Sequence, residues 1–401
     1  MAKAFRAWAR LACLLVIGGC TTTTLPPIGA GGQAFVHEED ERRWWNRGKE
    51  VEDQLDRGGA RYEDLALEIY LYEVAHRLLP AEVKAQGFSP RIKILQNPLL
   101  NAFALPHGVI YIHTGILARM EDEAQLATVL GHEMTHAVHR HAVRQVRQVQ
   151  NRTAFLATLA TISAAFGPYG QMAQALGALG TLAAVTGYSR DLEREADAEG
   201  LKWLVNAGYD LKRAPAVFEL LQKDLDGEKV KEPFFFGTHP RLQERVENYT
   251  ELLRIQYKAQ GKAGGVTNRD AFLEKTHRLL LDNALLDLRM GRFNTAKASI
   301  DKVLKRTPEQ PRAHYYLGEI YRQRGKPGDL EQAMTAYQQA TLADPTYPDP
   351  YKGLGLAFYQ QRMKGRAQSL FERYLALVPE AKDRAYIEGY VAELRREGSP
   401  Q

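Results

Sequence analysis

Apolar positions along the chain fall into helical and alternating runs. Residues 35–57 are dense in charge, with Phe35, Val36, Trp44, Trp45 and Val51 set among the charges, which predicts an amphipathic helix. Leu65–Leu79 predicts another, with Leu67, Tyr70, Tyr72, Val74 and Leu78 as its apolar positions. Arg91–Leu95 (RIKIL) and Val109–His113 (VIYIH) alternate instead and predict a small hairpin-type sheet, punctuated by Pro106-His107-Gly108 and Thr114-Gly115. A long helix is expected from about Glu121 through Val146, with further helices over 191–206 and 240–257. Ala154–Val185 is apolar but built from small residues and broken at Gly167-Pro168-Tyr169-Gly170. Its first run, Ala154–Phe166, is too short to span a bilayer, which takes about 20 residues. Two buried helices is the plainer reading of that run; a membrane-facing or gating flap is the other.

Lys258–Asn268 (KAQGKAGGVTN) is a Gly-containing, weakly apolar break, and a domain boundary is expected there. Beyond it the pattern repeats. Ala296, Ala333 and Ala367 recur with Pro308, Pro345 and Pro379 at the same two spacings, and Leu317-Gly318 with Tyr321 returns as Leu354-Gly355 with Phe358. Ile300, Tyr337 and Phe371 occupy equivalent positions. This is the tetratricopeptide pattern of paired helices, in which small residues admit close approach, an aromatic fills the gap and proline ends the second helix. The longer spacing is absorbed at Lys326-Pro327-Gly328-Asp329, and Asp383–Arg396 is expected to cap the array.

Composition narrows the function classes. The 401 residues are 45% hydrophobic and 25% charged, an ordinary globular balance of two or three domains. Of 53 basic residues, Lys3, Arg6 and Arg10 lie in the first nineteen, leaving 50 against 48 acidic ones, so nothing in the charge calls for nucleic acid. Those three cations precede the short apolar stretch Leu11–Ile17, an export signal rather than a spanning helix. Ile17-Gly18-Gly19-Cys20 resembles the bacterial lipobox, which implies acylation of Cys20 and residues 1–19 as a lipoprotein signal peptide. Thr21 after the cysteine resembles outer-membrane sorting signals and implies an outer-membrane lipoprotein facing the periplasm. Residues 20–35 then read as a flexible tether, rich in Thr, Pro and Gly. Cys13 and Cys20 are the two cysteines, so the folded body has no disulfide framework, no thiolate nucleophile and no cysteine metal site.

Histidine and carboxylate must therefore hold any metal. Gly131-His132-Glu133-Met134-Thr135-His136 lies inside the long predicted helix. Residues four apart share a helix face, so His132 and His136 can present two imidazoles to one zinc ion. Glu133, one step round, stands where a general base would take the proton of the attacking water. The metzincin extension needs Gly at 139 and His at 142; His139 and Ala142 exclude it. A carboxylate from the 191–206 helix is the alternative third ligand. Glu193 takes that role, and Asp197, four residues on, orients a ligand imidazole by accepting its other N–H. Glu195 faces elsewhere, and His139 is assigned to solvent or packing rather than the metal.

These residues, with Asn101-Ala102-Phe103-Ala104-Leu105-Pro106, Thr114-Gly115, Ser189-Arg190, Ala196 and Thr238-His239-Pro240 followed by Arg245, resemble the gluzincin metallopeptidases. That family includes HtpX, the CAAX prenyl proteases and, with C-terminal tetratricopeptide repeats, the beta-barrel assembly-enhancing (BepA-like) proteases. The resemblance implies a mostly α fold: a zincin-like metalloprotease domain with a small β-sheet over 36–257, a linker over 258–268 and an α-helical tetratricopeptide solenoid over 269–398. It implies one zinc per chain on His132, His136 and Glu193, with Glu133 as base and a proton-donor role for Asp197 beside the orienting one. It also puts His239 near the cleft, where three roles are open: stabilising an oxyanion, filling the fourth zinc position, or capping the helix that starts at Pro240.

The expected substrate is an unfolded or misassembled outer-membrane protein, held by strand addition along Val109, Ile110, Tyr111, Ile112 and His113 as an edge strand. The repeats are expected to bind clients or the outer-membrane barrel-assembly machinery. The competing expectation is a chaperone or assembly scaffold whose protease site is latent.

Overall fold

A computed structural model describes residues 25–32, 34–150, 188–228 and 242–398, the side chains of 148–150, 228, 397 and 398 excepted. Cys20, Ala154–Val185 and His239 lie outside the described residues. Labels below count described elements only.

Helices α1 (Glu39–Arg57), α2 (Leu65–Leu78) and α3 (Ala81–Ala85) lead into strands β1 (Arg91–Leu95), β2 (Ala102–Ala104) and β3 (Val109–His113). Then follow α4 (Thr114–Arg119), α5 (Glu123–Val138), α6 (His141–Gln150), α7 (Arg190–Asn206), α8 (Arg213–Glu228), α9 (Leu242–Ile255) and α10 (Lys258–Ala263).

The sheet has the order β1-β3-β2, with β1 parallel and β2 antiparallel to β3. Val109–His113 is thus the central strand, not the edge strand expected to hold the substrate. Val109 and Tyr111 pack with Val51 and Leu55 of α1 on one face. Ile110 and Ile112 join the main core with residues of α2 and α5 on the other. A strand covered on both faces needs apolar side chains at successive positions, and VIYIH supplies them. The outer side of β1 is partly closed by residues 60–62, through Tyr62 N–H to Ile94 O (2.9 Å) and Gln96 N–H to Ala60 O (2.7 Å). Among the described residues no strand pairs with the outer side of β2.

The long helix expected over 121–146 is two helices. The chain breaks at Arg140, which takes a left-handed φ of 59°. Its guanidinium reaches Glu41 Oε1 (2.7 Å), Pro26 O (3.2 Å) and Val36 O (3.4 Å). The same contacts correct the expected flexible tether from residue 25 onward. Leu25 and Ile28 are buried, and Ile28 N–H donates to Val138 O, at the end of α5, over 2.9 Å.

The break at 258–268 holds α10 and then an ordered strap. Asp210 N–H and Val266 O join at 3.0 Å, Thr267 O accepts from Glu123 N–H, and Asn268 Nδ2 donates to Glu123 Oε1. The strap thereby holds the start of α5.

The rest is helical: α11 (Arg269–Lys275), the pairs α12/α13 (His277–Arg289, Phe293–Arg306), α14/α15 (Pro311–Arg324, Asp329–Ala343) and α16/α17 (Asp349–Gln360, Lys364–Leu377), and α18 (Arg384–Gly398). Small residues and aromatics interlock as the repeats require. A Cβ on Gly318 would stand 2.4 Å from Tyr337, one on Gly353 2.7 Å from the same ring, and one on Gly355 2.6 Å from Phe371. The first pair is not a separate body: Leu279, Leu288 and Ile300, with Ile320 of α14, share one core with Leu204, Phe218 and the α5 residues. Arg119 of α4 crosses this junction to Asp287 (2.9 and 3.2 Å) and Asp224 (3.0 Å).

Candidate metal centre

Asp122 caps α5 through Gln125 N–H, and Ser189 caps α7 through Leu192 N–H, so both helices start where their polar N-terminal residues place them. The two helices pack against each other with Gly131 facing Gly200. This brings His132 and His136 of α5 against Glu193 of α7. His132 Nε2 and His136 Nε2 lie 2.9 Å apart, and Glu193 oxygens stand 3.5 and 3.6 Å from them. All three side chains are buried.

Asp197, one turn along α7, stands behind His132, with Oδ1 3.0 Å from Nδ1. Burial would raise its carboxyl, but the charge of Arg245 and the hydrogen bond of His132 outweigh it and hold it below the usual range. Arg245 of α9 donates to Asp197 Oδ1 over 2.7 Å and lies over the ring of Phe218. Tyr188 stacks on His136 at 3.9 Å between centroids. Burial, with the charges of Glu133 and Glu193, pushes its phenol up, so Glu133 shares this pocket. Glu195 turns away, to His139 Nδ1 (2.6 Å) and to the Arg144 fork (2.9 and 2.9 Å).

Peptidase family M48 matches residues 67–253. Residues 67–253 are an M48 peptidase domain. A tetratricopeptide repeat matches residues 281–348. The chain is 34% identical over 187 residues to mitochondrial metalloendopeptidase OMA1 of Arabidopsis thaliana, covering 45% of this chain and 36% of that one. It is 30% identical over 210 residues to the human metalloendopeptidase OMA1, covering 50% and 39%. It is 27% identical over 235 residues to the beta-barrel assembly-enhancing protease of Escherichia coli, covering 56% and 44%. The chain thus spans less than half the length of these three relatives.

M48 membership implies a metal cofactor, and the donor set fits one. Tetrahedral bonds of about 2.0–2.1 Å put ligand atoms about 3.3 Å apart. The separations of 3.5 and 3.6 Å lie within a few tenths of that, and the imidazole pair needs to open only slightly. The sequence had singled out His132, Glu133, His136, His139, Glu193, Glu195, Asp197 and Arg245, but not Tyr188, Arg144 or Phe218. For Arg245 and Tyr188 it offered no assigned role: one is a cation in a charged stretch of α9, the other precedes a helix cap.

No helix among the described residues is long and apolar enough to cross a membrane.

Proposed function

We propose that the chain is a zinc metalloendopeptidase of the bacterial cell envelope that hydrolyses unfolded or misassembled proteins. The convergence of His132, His136 and Glu193 from two helices, with Asp197 fixing one imidazole, carries the reading. His132, His136 and Glu193 would hold the metal. Zinc bound there supplies Lewis acidity, lowering the pKa of a water and polarising the scissile carbonyl. Glu133 takes the proton of the attacking water and returns it to the leaving amine. Asp197, charge-paired to Arg245, would accept the Nδ1 proton of His132 so that Nε2 faces the metal; Arg245 Nη2 lies 2.7 Å from that same Nδ1.

The docking strand in this proposal is β2 rather than β3. Leu105 N–H to Val109 O and His113 N–H to Asn101 O turn residues 101, 103 and 105 toward β3. By the alternation of an antiparallel ladder, the amides and carbonyls of Ala102 and Ala104 face outward, on a strand packed beside α5. An extended client paired there binds through its backbone, which tolerates many sequences. Acylated Cys20 anchors the enzyme at the outer membrane, and the repeats bind clients or assembly partners, with the barrel-assembly machinery as candidate.

The test is cleavage of an unfolded outer-membrane barrel protein by the purified chain and by Glu133→Gln, with bound metal measured in both. We expect Glu133→Gln to keep its metal and lose cleavage. If the wild type never cleaves, while Glu133→Gln retains full envelope function in cells, the latent-scaffold reading replaces this one.

A further inference from the structure

Asp197 orients one of the two imidazoles; the other, His136, has a different kind of support. His136 Nδ1 lies 2.8 Å from His141 Nδ1. Because His136 Nε2 faces His132 and Glu193, its proton sits on Nδ1 and donates to His141. His141 Nδ1 must then be an acceptor, which puts its own proton on Nε2. That nitrogen faces Glu195 Oε1 at 3.5 Å without a hydrogen bond. Glu195 is held there by Arg144 and by His139. With the metal-site reading, the tautomers of the two histidines are set from the His136 end, and the clamped carboxylate faces the far nitrogen.

The contact exists because of the break in the helix. In a continuous α-helix, residues five apart point about 140° away from each other. The left-handed Arg140 turns α6 so that His141 comes back over His136, with rings 4.9 Å apart. Arg140 is in turn held by Glu41 and by the carbonyls of Pro26 and Val36 in the docked N-terminal segment.

We infer that His141 is a positioning residue: it accepts the Nδ1 proton of His136 and, with Glu195 behind it, holds that imidazole with Nε2 toward the metal. The inference rests on the metal-site reading above. His139, His141 and Glu195 also have the donor types of a second cation site. That use is disfavoured because the Arg144 guanidinium already occupies both Glu195 oxygens.

The test compares His141→Leu with His141→Asn on the full chain. The Asn amide oxygen can stand where Nδ1 stands and accept the same proton; Leu cannot. Zinc affinity is read by competition with a chromophoric chelator, and melting of the metal-free proteins is read alongside. We expect His141→Leu to bind zinc about 10–100-fold more weakly, the range for losing a residue that supports a ligand. His141→Asn should stay within about threefold of wild type on the same scale. Equal affinity of His141→Leu and wild type overturns the inference. So does equal loss in both variants, which would mean packing rather than the acceptor matters. A wild type that binds no zinc refutes the metal site itself, a separate failure visible before any variant is made.

Discussion

Replacing Gly200 by alanine tests the two-helix construction of the site most directly. A Cβ added there would stand 3.1 Å from the carbonyl carbon of Gly131 and 3.1 Å from the amide nitrogen of His132. Both are backbone atoms and cannot rotate away. Carbon contacts are most favourable at about 3.5–4.0 Å, so α5 and α7 must separate by about half an ångström. That is about the tolerance of a preorganised site. Overpacking of this kind costs about 1–3 kcal/mol. Expressed wholly in the metal-binding conformation, that is about a fivefold to 150-fold loss of zinc affinity. Gly131→Ala is the internal control. Its Cβ would meet a movable Leu204 methyl at 3.3 Å and Gly200 backbone only at 3.4 Å. Both variants gain about 1 kcal/mol of helix propensity, so the difference between them isolates the steric effect. Zinc competition and metal-free melting on the two purified variants decide it. If Gly200→Ala binds zinc as tightly as Gly131→Ala, close contact of the helices does not set the ligand geometry.

Three further outcomes follow from the same geometry. Ala104→Pro removes an outward amide of β2 while leaving the β3 pairing intact, and should lower kcat/KM on an unfolded substrate about 3–10-fold, the worth of one backbone hydrogen bond; unchanged cleavage would remove β2 as the docking strand. Burial alone would raise the Glu52 carboxyl, but hydrogen bonds from Lys93, His107 and Arg91 outweigh it and bring it down to about 2. A folded value below the unfolded one of about 4.3 stabilises fully above the latter and is lost as pH falls toward the former, so melting of wild type should drop more steeply below about pH 4.5 than melting of Glu52→Gln; parallel curves would contradict this. His239→Ala should change turnover at least about tenfold if its loop acts at the metal; an unaltered rate leaves it the helix cap.

What could be read from the chain alone were features that depend on local spacing. Two histidines four apart, two carboxylates four apart and recurring Ala and Pro all report which residues share a helix face, and the structure joins His132, His136 and Glu193 accordingly. The misread features depend on partners far along the chain. Nothing in Ala137–Val143 marks a helix break, since there is neither glycine nor proline; Arg140 turns there against Glu41, ninety-nine residues away. The support of His136 by His141 was invisible for the same reason. The centrality of β3 was encoded in its unbroken apolarity, but the alternation of β-branched and polar-tipped residues masked it. The Thr, Pro and Gly of the N-terminal segment read as a tether because two apolar anchors, Leu25 and Ile28, are too few to form a periodicity.

The early docking of that segment has a consequence for reach. Five residue steps separate Cys20 from Leu25, and a fully extended chain covers at most about 18 Å over that length. Were Cys20 acylated as proposed, the far end of α5 would hang on a short leash. Such an anchored enzyme would patrol a thin shell over the lipid surface, meeting polypeptides that stall there rather than those adrift in the compartment.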